Sequence, residues 1–432
     1  MNGRFAILRL ASNPFVSPEK PYDPLCASFP NTSNILVVVK TGASESYAKI
    51  PTQLMTVLRC APDFLLFSDM EQSIAGHHIY DSLDTVLLKA KAGNPDFDLY
   101  QRQQACPVDQ HSCSASSDQG MKGGWELDKY KNLHIAEKTY DLRPNYDWYL
   151  FIDADTYVLW NNLVQWLRTL EDPSRKKHYI GSVTLISDFP FAHGGSGYIL
   201  SQATMRELAV DHHLIANRYD MVAKESCCGD YVIGLALHEA LGVSVSGAWP
   251  TINGEKPHTI PYGSREWCQP LEFERRFYNS NEVQRPDGPT MRFKDIFDEF
   301  VAPKLVVRRD DWDNLSDDVL YLDYDAPHPQ WQKDRAKKLH KMLMVASVEK
   351  HAHESFETCR RLCDSTKDCF QFAFHDGVCA YHKSFMLGKP AKKAEVREDQ
   401  KDEIWVSGWN VNRIRSWIRK QGRCQEPVWP EI

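Results

Sequence analysis

Two carboxylates spaced i, i+2 stand at the end of an unbroken apolar run in Trp148-Tyr-Leu-Phe-Ile-Asp153-Ala-Asp155-Thr-Tyr-Val. The run reads as a buried strand, and open α/β sheets bind ligands just beyond the carboxyl ends of their strands. Two acids there can hold a hard divalent cation whose other positions go to phosphate oxygens and water. The bland alternative for Asp-x-Asp is a solvated turn. His193-Gly194-Gly195-Ser196-Gly197-Tyr198 precedes an apparent helix near Ser201. Such glycines let the backbone approach a ligand closely, as they also permit any tight turn, and the spacing is not a dinucleotide fingerprint. Further on, Glu225-Ser-Cys-Cys-Gly-Asp230 leads into an apolar helix over Tyr231–Leu241 that stops at Gly242. Asp230 stands where an N-cap belongs. A general base held at a helix start near the Asp153/Asp155 strand end is the sharper reading, and one carboxylate can do both jobs.

These residues need elements to position them. Ile35-Leu-Val-Val-Val and Phe64-Leu-Leu-Phe67 repeat the buried-strand pattern, with a helical stretch from about Tyr47 to Arg59 between them. With Trp148–Ile152 and Tyr179–Val183, this alternation predicts an α/β domain with a largely parallel sheet. Asn94 to Gly124 reads as a long polar loop pinned by a disulfide. Asp310 to about Arg335 reads as a peripheral connection. A cysteine-dense module begins after Glu349, which puts the domain boundary near residue 345.

The 432 residues are 42% apolar and 25% charged, an ordinary globular balance, and the net charge of −7 argues against a nucleic-acid binder that relies on a general basic surface. The apolar runs reach about five residues where a membrane span needs roughly 20, so no transmembrane segment is expected in this chain. Twelve cysteines, four of them between Cys359 and Cys379, favour disulfides over zinc because C-x2-C pairs are missing. Asn31-Thr-Ser and Asn314-Leu-Ser are glycosylation acceptors if the chain enters the secretory pathway.

Taken in order, Ile35-Leu-Val-Val-Val-Lys-Thr41-Gly42, Tyr149-Leu-Phe-Ile-Asp153-Ala-Asp155-Thr-Tyr-Val, Gly194-Gly195-Ser-Gly197-Tyr-Ile-Leu-Ser and Cys227-Cys228-Gly-Asp230 resemble glycosyltransferase family 31, the core-1 galactosyltransferase and Fringe family, in its fungal branch. The resemblance covers roughly residues 33 to 320. Cys359-x3-Cys363-x5-Cys369-x-x-Phe372 with Cys379 resembles an apple/PAN domain. The division expected is an irregular leader over 1–32, a GT-A transferase domain over 33–310, a linker over 311–345 and the apple/PAN-like α+β module over 346–432.

The resemblance implies a luminal Golgi enzyme of the secretory pathway that transfers sugar from a UDP-sugar, UDP-galactose favoured, to a glycoprotein or glycan acceptor. It implies Mn2+ and inversion to a β1,3 bond. Asp153 and Asp155 would form the metal site, Asp153 also facing the nucleotide together with Thr41, Gly194 and Gly195, and Asp230 would be the catalytic base. The apple-like pattern implies Cys359–Cys379 and Cys363–Cys369, which leaves Cys424 either to bridge to the transferase domain or to stay free. In one respect the chain departs from the family. No histidine occurs between His258 and His328, where family members carry a metal ligand shortly after the position of Cys268. His258 is a substitute, and a catalytically impaired binding module is the alternative reading.

Overall fold

The computed structural model describes residues 23–106, 120–263, 267, 269, 273–274, 290–338, 346–391 and 405–432. Its larger sheet is built from β1 (Ile35–Lys40), β2 (Phe64–Ser68), β3 (Gln72–Ile74), β4 (His77–Asp81), β5 (Trp148–Asp153), β6 (Tyr179–Gly181), β7 (Tyr198–Ser201) and β8 (Ser246–Gly247), in the order β8-β6-β7-β5-β1-β2-β4-β3. The central β5, β1, β2 and β4 run parallel. β7 is antiparallel to both β5 and β6. Continuous apolar runs suit β1 and β5 because a parallel sheet is covered on both faces. Ile35, Val37, Val39, Leu150 and Ile152 enter one core, and Leu36, Val38, Tyr149 and Phe151 the other.

Helix α1 (Ala43–Met55) starts directly after β1, four residues before the point expected from the sequence. α2 (Gly120–Asp128) and α3 (Lys131–Leu142) lead into β5, and α4 (Gly229–Leu241) follows the paired cysteines. The stretch read as one long loop from Asn94 is helical at Asp98–Gln104 and again from Gly120. Apolar contacts of Phe97, Leu99 and Leu127 in the second core override its polar composition. Cys106 is disulfide-bonded, in keeping with the expected pin. The leader is tied at its described end by Cys26–Cys60.

The second sheet is antiparallel and comprises β9 (Arg309–Asp310), β10 (Val319–Leu322), β11 (Gln371–His375), β12 (Val378–His382) and β13 (Val406–Trp409), in the order β9-β13-β11-β12-β10. The segment read as a connection therefore supplies both edge strands, and the expected linker over 311–345 holds part of this sheet. These strands are two and four residues long, and they pair with residues about 60 to 100 positions later, so no local pattern marks them. Helix α5 (Phe356–Ser365) is tied to β12 by Cys359–Cys379, and Cys363–Cys369 closes the turn after it. Cys424 is disulfide-bonded as well. The other four C-terminal cysteines are already paired with each other, so its partner precedes residue 345 and the bridge crosses between the two sheets' domains.

Asn314 is fully buried. Its amide donates to Phe372 O (3.1 Å) and Gly408 O (3.2 Å), and its Oδ1 accepts from Ser316 Oγ (2.8 Å). Of the two glycosylation triplets, this one is a structural pin that a glycan could not share, whereas Asn31 is exposed. Asn314→Ala strands two buried carbonyls and is expected to lower stability by about 2 kcal/mol, read as a shift in the urea midpoint.

The second sheet has core clusters of its own around Phe356 and Phe372 and around Leu320 and Val378, but one cluster is shared with the larger sheet. Phe385, Leu387, Trp409 and Ile414 belong to the same cluster as Val37, Trp160, Tyr262, Trp267 and Phe297. Phe385 stacks on Tyr262, and Trp166 Nε1 donates to Pro430 O at 3.4 Å. No helix among the described residues is long and apolar enough to cross a membrane.

Candidate active site

The register of the sheet sets Lys40 beside Asp153, each the last residue of its strand. Lys40 Nζ lies 2.8 and 2.7 Å from the two carboxylate oxygens of Asp128, at the end of α2, and 3.4 Å from Asp153 Oδ1. Lys131, which opens α3, reaches Asp128 at 3.8 Å and Asp69 at 2.9 Å, and donates to Thr41 O at 3.2 Å. Charges thus alternate Asp153, Lys40, Asp128, Lys131, Asp69 across the carboxyl ends of β5, β1 and β2. Burial disfavours the Lys40 ammonium, but the carboxylates of Asp128, Asp153 and Asp230 outweigh it and hold its pKa well above the usual lysine range. Burial likewise opposes ionised Asp128, and Lys40 with Lys131 overcome it and hold its pKa low. Asp153 goes the other way: burial first, then the like charges of Asp128 and Asp155, push its carboxyl up against the pull of Lys40.

Asp155 sits in the turn after β5, with Lys49 Nζ 3.6 Å from its Oδ2. The turn is held from behind by Gln53 on α1, whose buried amide donates to Ala154 O (2.9 Å) and Thr156 O (2.8 Å). Thr156 Oγ1 in turn donates to Gly195 O at 3.0 Å, tying the acidic turn to the glycine turn. Gln53→Leu orphans two carbonyls and is expected to cost about 2 kcal/mol of stability, checked by denaturation.

Asp230 lies in the first turn of α4, not at its N-cap, which is Cys228. Its Oδ2 accepts from Gly194 N (2.8 Å) and its Oδ1 from Tyr231 N (2.9 Å). A Cβ on Gly194 would stand 3.4 Å from Asp230 Oδ2. The glycine turn therefore serves to bring the backbone against the carboxylate. The segment from Gly194 continues into strand β7, and the helix expected near Ser201 begins at Gln202 with Ser201 Oγ accepting from Thr204 N. Gly194, Asp153, Lys40, Asn132 and Tyr198 line one cleft.

Of the residues expected from the sequence, Asp153 and Gly194 line this cleft, Asp230 is bonded to Gly194, Asp155 and Gly195 follow the two lining residues along the chain, and Thr41 follows Lys40 with only 6% exposure. Asp153 and Asp155 suit a divalent cation: both are hard oxygen donors at or just after one strand end, and burial, with the like charges of Asp128 and Asp155, lifts Asp153 in a way that a bound cation would offset. Among the described residues no histidine groups with them, and of the stretch after Cys268, where the family histidine is missing, only residues 269, 273 and 274 are described. Among the described residues, three metal-capable side chains meet elsewhere, at Asp317, Asp318 and His382. There His382 Nδ1 already accepts from Ser384 N (3.0 Å), and Asp317 pairs with Arg335 (3.1 Å). Lys40, Asp128, Lys131 and Asn132 were not singled out by the sequence; the one local signal was a lysine directly after five buried residues.

No curated protein matches the chain. The model of the Fringe-like family matches residues 31–248, which span every strand of the larger sheet and the whole cleft. The chain belongs to the Fringe-like family of glycosyltransferases.

Proposed function

We propose that the protein is an inverting, UDP-sugar-dependent β1,3-glycosyltransferase of the secretory pathway, with UDP-galactose as donor and a glycoprotein or glycan hydroxyl as acceptor. The observation that carries this reading is a cleft lined by Asp153 and Gly194, with the Asp230 carboxylate held against Gly194 and fixed by two backbone N–H groups. Fixing orients the base without consuming it, since each oxygen keeps a second lone pair for a substrate proton. In the step proposed, the acceptor oxygen bonds to the anomeric carbon as its proton passes to Asp230. The bond from that carbon to the donor phosphate oxygen breaks on the opposite face, and its electron pair leaves with the diphosphate. Asp153 and Asp155 are the residues that would hold Mn2+, which when bound offsets the charge growing on the departing diphosphate. Thr41 and Gly195 complete the nucleotide side. The module containing α5, read as apple/PAN-like, is assigned to the acceptor.

A panel of UDP-sugars with Mn2+ and purified protein tests the reading. UDP release from UDP-galactose is expected, and no release from any UDP-sugar would overturn it. The histidine-free stretch after Cys268 favours a second reading, a binding module that has lost turnover. Tight UDP binding without turnover would support that one.

A further inference from the structure

The wall of the cleft between Asp153 and Gly194 carries two polar groups that the transfer step leaves unused. Lys40 and Asn132 stand there among Val38, Phe151 and Tyr198. An ammonium has three N–H donors, and those of Lys40 face three oxygens: both of Asp128 at 2.8 and 2.7 Å, and Asp153 Oδ1 at 3.4 Å. Asp128 is the firm partner and Asp153 the loose one. Were Asp153 taken up by a cation, its longer contact with Lys40 would be the one to weaken, which would leave that donor for a ligand.

Asn132, the second residue of α3, is 3% exposed, and its Nδ2 finds no acceptor among the described residues. A buried amide donor left this way is destabilising, a penalty that an oxygen-bearing ligand removes. It packs against Gly229, where a Cβ would stand 3.2 Å from its Nδ2, and so lies between the lysine strand end and the turn that carries Asp230. The nearby Gly194 N–H is already given to Asp230. The side-chain donors on this wall are the Lys40 ammonium and the Asn132 amide, with the Tyr198 hydroxyl as a neutral third, set among Val38, Ile135, Phe151 and Ile152. That combination selects an anion rich in oxygen acceptors.

We propose that Lys40 and Asn132 form the seat for the diphosphate of the nucleotide-sugar donor, with Asp128 as the anchor that keeps Lys40 at the strand end. The proposal rests on the donor site described above and assigns its phosphate-binding side chains.

Calorimetry of the full chain with UDP and with uridine, each in the presence of Mn2+, separates phosphate recognition from general damage. Asn132→Leu removes an unsatisfied group, so its melting temperature is expected to hold or rise. Its UDP affinity should fall by about tenfold, the worth of one charge-assisted hydrogen bond, with uridine affinity unchanged. Lys40→Met paired with Asp128→Leu removes both charges together, which keeps the fold from carrying an unpaired buried ion, and should show the same selective loss more strongly. Lys40→Arg alone should retain most of the UDP affinity. Parallel loss of UDP and uridine binding, or unchanged UDP binding in Asn132→Leu, would overturn the seat. A wild-type protein that binds uridine no worse than UDP overturns the seat alone; one that binds neither removes the donor-site reading with it.

Discussion

Asp230→Asn is expected to lower sugar transfer by about 10³-fold while leaving UDP affinity unchanged, the loss typical of removing a positioned general base. The substitution keeps the shape of the side chain and removes its ability to take a proton. The geometry adds a smaller second effect. Both carboxylate oxygens accept a backbone N–H, from Gly194 and from Tyr231, and an amide offers one oxygen. Whichever way it turns, one of the two N–H groups meets an NH2 group, at a cost of about 1 kcal/mol in stability. The kinetic loss far exceeds anything that this destabilisation explains. Initial rates of UDP release with acceptor present, compared with calorimetric UDP binding, read the two effects separately. Transfer at the wild-type rate would exclude Asp230 as the base.

Asp155→Ala is the second large effect. A metal that neutralises a departing diphosphate contributes several kcal/mol, so loss of the ligand should reduce Mn2+-dependent turnover by about 10³-fold. The fold should tolerate the change. Lys49 keeps its partner Glu45 at 2.6 Å, and the turn keeps the two hydrogen bonds that its backbone carbonyls accept from Gln53. An unaltered melting temperature together with lost turnover across a Mn2+ titration is the expected pair of results. Normal turnover would remove Asp155 from the metal site.

The strands that carry this chemistry were legible because a parallel sheet covered on both faces demands continuous apolar runs like Ile35–Val39 and Trp148–Ile152. Asp153, Asp155 and Asp230 were legible because each follows such a run or opens a helix. Lys40 becomes meaningful only through its register against Asp153, a pairing more than a hundred residues apart. Asp128, Lys131 and Asn132 were illegible for a related reason. They lie on helices that follow a polar stretch, and their burial is decided by what packs on them. The same holds for Arg309–Asp310 and Val319–Leu322, whose partners come from strands far along the chain. A cysteine pattern marked the centre of the small module, but only tertiary pairing marked its edges.

The core shared by the two sheets has a consequence for the order in which the protein can fold. Chains fold domain by domain as they leave the ribosome when each domain closes its own core. Here the helix Trp160–Leu167, which follows the acidic turn, is packed by Trp429 and Ile432 as well as by its near neighbours, and Trp166 bonds to Pro430. The sugar-transfer half is synthesised first, yet Tyr262, Trp267 and Phe297 wait for Phe385 and Trp417 to cover them. This aromatic cluster is therefore complete only when residues from both sheets are in place.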